Sequence, residues 1–183
     1  MRLDQPIKYL ELDPPRDLVN YDFDRLDPSL WVDNNQLIKR QGWEQLSTLQ
    51  IRSVHPADIH RPEGSISIEH NLDLDLRALC ILAADQLAQY YQARPIAICL
   101  NRLGPGGAIA QHWDRPRMYS LAHRVHLPLK TNAGSQFIVD GRACTTRAGQ
   151  YFEFDNQRDH SVVNGGSLER IHLIIDLLPT NLE

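Results

Sequence analysis

The spacing of apolar positions along this chain changes near residue 95. Before it, one long stretch is periodic. Over residues 74–92, Leu76, Leu79, Cys80, Ala83, Leu87 and Tyr90 recur at the three-, four- and seven-residue steps of one helical face. Asp73 and Asp75 favour the positive N-terminal end of that helix. Arg94-Pro95 ends it, because a residue before proline avoids helical dihedrals. Beyond residue 95 the apolar residues fall into short runs: strands are expected at 96–101, 108–113, 123–130, 136–139, 143–147, 151–154, 160–163 and 169–178. Turns are expected at Gly104-Pro105-Gly106-Gly107, Asn132-Ala133-Gly134, Ala148-Gly149 and Asn164-Gly165-Gly166, and Asp140-Gly141 between two runs is a hairpin signal. Eight short strands punctuated in this way indicate an all-β sandwich or barrel. Residues 1–60 are irregular: 7–12 reads as a strand and 29–49 as a further strand or a short helix, while 61–71 reads as a loop or short strand, with polar and apolar residues alternating over 65–69. One domain is expected over 1–183, an N-terminal extension to about residue 94 followed by a barrel core over about 95–179.

Successive side chains of a strand point to opposite faces. In the last strand Arg170 and His172 share one face, and Ile171, Leu173, Ile175 and Leu177 the other. In the strand 123–130, Arg124 and His126 share one face, and Val125, Leu127 and Leu129 the other. The aliphatic faces suit packing on the helix. The polar face is unusual, because two Arg-x-His pairs replace the Lys, Glu and Thr of a wetted sheet. It reads as the inside of a barrel that holds an anionic ligand, the alternative being a solvated face with ordinary arginines.

Composition narrows the class. A net charge of −4 with scattered Lys and Arg favours neither nucleic acid nor an anionic membrane as partner. The N-terminus has no apolar signal segment, and no apolar run approaches a membrane span. Cys80, Cys99 and Cys144 are widely spaced without a CxxC, which suggests reduced thiols in a cytoplasmic protein, acting as small buried hydrophobes.

The candidate chemistry lies at Gln111-His112-Trp113-Asp114. His112 and Asp114 stand two residues apart, so both project from one side of a strand. His160 follows forty-eight residues after His112, and Arg170 ten residues after His160. Two imidazoles and one carboxylate are the ligand set of a non-haem Fe(II) centre that leaves positions open for cosubstrate and O2. An inward arginine on the last strand is placed to hold a carboxylate of 2-oxoglutarate. A lone HxD pair is a weak signal; its place on a strand after a Gly-rich turn, with a distant His and then an Arg, is a stronger one. His55, His60, His70 and His123 lack such a context and are taken as surface or structural.

On these residues the chain resembles the aspartyl/asparaginyl β-hydroxylase family of Fe(II)/2-oxoglutarate-dependent oxygenases. The likeness runs from Asn101-Arg102-Leu103-Gly104-Pro105-Gly106-Gly107 through Gln111–Asp114 to Arg124-Val125-His126-Leu127-Pro128-Leu129. It continues through Gly149-Gln150-Tyr151-Phe152-Glu153-Phe154-Asp155 and Asp159-His160-Ser161-Val162 to Arg170-Ile171-His172-Leu173-Ile174-Ile175-Asp176. The resemblance implies a double-stranded β-helix, a jelly-roll, cupin-like barrel, mainly β with at least one packing helix. It implies His112 and His160 as iron ligands and Arg170 as the partner of the distal 2-oxoglutarate carboxylate. Arg124 and His126 are implied near cosubstrate and substrate, and Asn101 as a polar cosubstrate contact. The activity implied is hydroxylation of an aliphatic C–H of an amino acid or of a residue in a peptide. The animal member has glycine two residues after its first histidine, where this chain has Asp114. That departure suggests a three-ligand site and weakens transfer of substrate identity. Arg102, Arg115, Arg117 and Arg158 are candidates for a substrate carboxylate or plain solvated charges. Two other classes stay open. A cupin-type metal enzyme that does not use 2-oxoglutarate would need no inward Arg170. A non-catalytic barrel serving as a binding or sensor module would tolerate loss of a ligand.

Overall fold

The computed structural model describes residues 3–33, 43–54, 66–68, 72–114 and 117–182. In the N-terminal part these form β1 (Ile7–Tyr9), a short helix α1 (Arg16–Val19), two 3-10 turns, β2 (Val32–Asp33), β3 (Trp43–Val54) and β4 (Ile66–Ile68). Helix α2 (Leu74–Tyr91) follows, then β5 (Ala93–His112), a five-residue helix α3 (Arg117–Leu121) and β6 (His123–Lys130). Then come β7 (Ser135–Val139), β8 (Arg142–Cys144), β9 (Phe152–Phe154), β10 (His160–Asn164), β11 (Arg170–Pro179) and a 3-10 turn (Thr180–Leu182). The strands run β1-β9-β6-β11-β5-β10-β7-β8, and β3 lies on β5 and carries β2 and β4. Every pairing is antiparallel. This is the expected mainly-β, jelly-roll-like barrel with a packing helix.

Helix α2 starts where an acidic cap is available. The Asp73 carboxylate accepts from the backbone N–H groups of Asp75 and Leu76, satisfying donors that have no partner inside the helix. Its buried stripe, Leu76, Cys80, Ala83 and Leu87, packs with Val125 and Leu127 of β6 and with Ile171, Leu173, Ile175 and Leu177 of β11. The aliphatic faces of β6 and β11 therefore meet the helix, as their alternation requires. Two details differ. Tyr90 is 47% exposed, and Tyr91 packs against the core instead. The helix stops at Gln92, which is left-handed at φ 49°, so Arg94-Pro95 already belongs to β5.

A second apolar cluster lies on the other side of the sheet: Leu46, Leu103, Ile109, Phe137, Val139, Phe152, Phe154 and Val162. Between the two runs the sheet is held by β5, and here the sequence reading is corrected. The Gly104–Gly107 turn does not separate two strands, because β5 runs through it for 20 residues. Its partner β3 skips: Leu46 faces Leu103 while Glu44 faces Ala108, so residues 104–107 bulge out of that pairing. Gly106 takes φ 72° there, in the region that favours glycine. The kink passes β5 from β11, which it pairs over Ala93–Leu103, to β10, which it pairs over Ala108–His112.

The hairpin over Asp140-Gly141 forms as expected, with φ 50° and 72° at the two turn residues. The strand expected at 7–12 shortens to β1, which pairs with β9. The stretch 29–49 holds part of a 3-10 turn, all of β2 and part of β3, and its residues 34–42 lie outside the described ones, as do His55, His60 and His70. Among the described residues no helix is long and apolar enough to cross a membrane.

Candidate metal centre

The kink delivers His112 at the end of β5 directly opposite His160 at the start of β10. Their ring centroids are 4.2 Å apart. Asp114 follows just beyond the strand, held in place by its own backbone: its N–H donates to Asn156 O at 3.0 Å, and its carbonyl accepts from Gln157 Nε2 at 3.1 Å. One ligand atom from each of His112, Asp114 and His160 lies within 4.8 Å of the others.

Both imidazoles are oriented by backbone carbonyls. His112 Nδ1 donates to Ala110 O at 2.8 Å and His160 Nδ1 to Arg158 O at 2.9 Å. A carbonyl accepts only, so Nδ1 carries the proton and Nε2 the lone pair in each ring. Such an outer hydrogen bond fixes the tautomer and ring angle that a metal ligand needs. Burial lowers the pKa of His160, a shift that the Asp114 carboxylate and the Arg158 carbonyl partly oppose. Phe154 packs edge-on against the same ring at 4.8 Å.

The Asp114 carboxylate is divided. Oδ2 accepts from Arg124 Nη1 at 2.6 Å, and Oδ1 lies 3.8 Å from His112 Nε2. Arg124, expected beside the cosubstrate, is engaged elsewhere: Nε and Nη2 pair with the two oxygens of Asp176 at 2.7 and 2.8 Å. The Tyr119 ring lies 4.2 Å from the guanidinium carbon. Burial opposes the charge, but Asp176 and then Asp114 outweigh it and raise the Arg124 pKa well above its ordinary value.

Arg170 has the opposite surroundings. It is 2% exposed, and among the described residues it meets no carboxylate. Burial alone pushes its guanidinium down to about 9. Its Nη2 donates to His172 Nδ1 at 2.8 Å, and His126 Nδ1 lies 3.4 Å from that same atom. Arginine only donates, so His172 accepts at Nδ1 and carries its proton on Nε2. Burial first, then Arg170, holds His126 and His172 well below the usual histidine range. The Nε2 atoms of both rings are buried without a hydrogen-bond partner. Each such orphan costs roughly 1–3 kcal/mol unless a ligand completes it.

Asn101 pairs in register with His172 and so shares its face; its Oδ1 accepts from Thr48 Oγ1 at 2.8 Å. The other candidate arginines scatter. Arg102 lies on the opposite face, its guanidinium 4.5 Å from the Trp31 ring centroid. Arg158 pairs with Asp140 and Asp155, while Arg115 lies outside the described residues. His123, taken as structural, bonds the buried Glu153 at 2.7 Å, which also accepts from Tyr91. Sequence reasoning missed Asp176, Tyr119, Asn156 and Gln157. Only Asp176 carried a signal, since it continues the two-residue step of Arg170 and His172.

The fold and this cluster define a double-stranded β-helix that brings two histidines and a carboxylate together at the end of one strand. Comparisons with known proteins point the same way. The described structure is similar to a prolyl-4-hydroxylase from Pseudomonas putida, with 15% identity over 96% of this chain and 94% of that one, at a TM-score of 0.62. It is similar to a prolyl hydroxylase from Trichoplax adhaerens, solved with a hypoxia inducible factor peptide fragment. There the identity is 9%, the coverage 97% and 86%, and the TM-score 0.64. An oxidoreductase of the 2OG-Fe(II) oxygenase family from Burkholderia pseudomallei gives 16% identity, coverage of 77% and 72%, and a TM-score of 0.57. At these identities the likeness shows the fold. No curated protein matches in sequence. Residues 73–179 match the family described as Aspartyl/Asparaginyl beta-hydroxylase, a span from the α2 cap to the last residue of β11. The chain belongs to the aspartyl/asparaginyl β-hydroxylase family.

Proposed function

We propose that the protein is an Fe(II)/2-oxoglutarate-dependent hydroxylase acting on an aliphatic C–H of an amino acid or of a residue in a peptide. One observation carries the reading: a His112–Asp114–His160 cluster shares the barrel with the buried Arg170 guanidinium, which meets no carboxylate among the described residues. Phe154 touches both His160 and His126, and His126 leads through His172 to Arg170, so the two features form one continuous site.

The donor set fits iron, which accepts imidazole nitrogen and carboxylate oxygen. His112 and His160 would present Nε2 and Asp114 Oδ1. Bound there, Fe(II) with 2-oxoglutarate and O2 supplies oxidative decarboxylation coupled to hydroxylation. Arg170 would hold the distal carboxylate of 2-oxoglutarate through its planar fork. The proton on His172 Nε2 gives that end of the site a second donor. Phe137, Phe152 and Phe154 surround His126 and exclude water there. Asn101, fixed by Thr48, would be a further polar contact. A cupin-type enzyme without 2-oxoglutarate leaves the buried Arg170 unexplained, and a non-catalytic barrel leaves the orientation of both histidines unexplained. Three free cysteines fit a reducing compartment, in keeping with a cytoplasmic protein of one catalytic domain.

The test is succinate release with Fe(II), 2-oxoglutarate and a panel of free amino acids and short peptides, aspartate, asparagine and proline first. Mass spectrometry should show a matching gain of one oxygen in the stimulating compound. If 2-oxoglutarate neither binds nor turns over, the cupin-type reading replaces this one. If only a nucleobase or a lipid stimulates turnover, the oxygenase stands and the substrate class is wrong.

A further inference from the structure

The two arginines that face the inside of the barrel, Arg170 buried and Arg124 half-buried, are not equivalent. Arg170 offers its fork to a ligand, whereas Arg124 has Nε, Nη1 and Nη2 all on protein carboxylates. Asp176, itself 3% exposed, takes the side-on pair of donors and leaves the Nη1 edge for Asp114. A ligand carboxylate can reach Arg124 in two-pronged fashion only by displacing one of those aspartates. The ring of Tyr119 covers one face of the guanidinium and limits its tilt. Asn156 links the two sides: its Nδ2 donates to Tyr119 O at 2.9 Å, and its carbonyl accepts from Asp114 N.

Asp114 is the member of the cluster that needs such support. Unlike the histidines, whose Nδ1 atoms are each tied to the backbone carbonyl two residues earlier, it stands past the end of β5. Its carboxylate has two equivalent oxygens that exchange by rotation unless one is held. We propose that Arg124 is a positioning residue for the metal-binding carboxylate: locked by Asp176 and Tyr119, it holds Asp114 Oδ2 so that Oδ1 is presented beside His112 and His160. This rests on the reading of His112, Asp114 and His160 as metal ligands. It removes Arg124 from the substrate and cosubstrate contacts and makes Asp176, which reaches Asp114 only through Arg124, part of the metal site. Outer partners of this kind typically change metal affinity by about 10–100-fold when removed.

The experiment is a titration of metal-free protein with Mn(II), followed by the electron paramagnetic resonance signal of the free ion, which does not depend on turnover. Arg124→Gln and Asp176→Asn should each weaken Mn(II) binding by about 10–100-fold. In an Asp114→Ala background, Arg124→Gln should add less than about a threefold further loss, because the group it positions is gone. Should Arg124→Gln fail to fold, Arg124→Lys leaves a cation for Asp176 while removing the fork, and a loss of about tenfold is expected from it. An equal loss with and without Asp114 would reduce Arg124 to a general structural role and overturn the proposal. So would unchanged Mn(II) affinity in the Arg124 variants while Asp114→Ala weakens it. If Asp114→Ala itself binds Mn(II) as the wild type does, the ligand assignment fails, and this inference fails with it.

Discussion

Two arginines on adjacent strands show how far a residue's role depends on what neutralises it. Arg124 lies between two aspartates, and Arg170 lies in the same barrel with none among the described residues. A buried charge without a partner is costly, so Arg170 makes sense as half of an ion pair whose other half arrives with a ligand. Replacing it with Lys keeps the charge and loses the fork. We expect a rise of at least about tenfold in KM for 2-oxoglutarate, with Mn(II) affinity unchanged; an unchanged KM would assign the carboxylate elsewhere. Replacing it with Met removes an uncompensated charge. We expect the unliganded protein to gain about 1–4 kcal/mol in urea denaturation and to lose any stabilisation by 2-oxoglutarate. A less stable Arg170→Met protein would show that the hydrogen bond to His172 outweighs the cost of the buried charge. At this scale the ligand candidates were legible, because residue type and two-residue spacing fix which side chains share a face. The task of Arg124 was not, since its partners come from a strand end and from a residue 52 positions later.

At the scale of elements, what could be read was what is local. Helix α2, its Asp73 cap and the Asp140-Gly141 hairpin each rest on neighbours within a few residues. The kinked β5 does not. A Gly-Pro-Gly-Gly run is a turn signal by itself, and it becomes a bulge here because β3, β10 and β11 hold the strand on both sides of it. The long β3 was obscured for a related reason: Leu46 faces one core and Leu49 and Ile51 the other, so no simple alternation marks it. The kink also sets the register between His112 and His160. Gly106→Ala places a side chain at φ 72° and should cost about 1–2 kcal/mol. It should also weaken Mn(II) binding, because the histidines lie downstream of the strain. Asp73→Ala is the matched control: loss of the cap should cost about 0.5–2 kcal/mol while Mn(II) affinity holds. Equal metal affinity in both variants would separate the kink from the site.

Across the whole molecule, the sheet divides a dry aliphatic core under α2 from a barrel interior that holds histidines, arginines and aspartates. The first supplies most of the hydrophobic stabilisation, and the second makes stability depend on protons. Burial leads the depression of His126, His172 and His160 below the ordinary histidine value. When the chain unfolds these rings return to about 6.5, so between their folded values and about 6.5 the unfolded chain binds more protons than the folded one. Stability is therefore full above about pH 6.5 and falls as the pH drops below it. The slope reaches at most about 1.4 kcal/mol per pH unit for each histidine. Urea denaturation of the metal-free protein at pH 7.5 and pH 5.5 measures it. His172→Gln keeps an acceptor for Arg170 and removes one titrating ring, so about a third of the loss should disappear. A stability that is flat across this window, or a loss that His172→Gln leaves intact, would mean that the buried rings take up protons in the folded barrel. The interior would then be far more open to water than its aromatic lining allows.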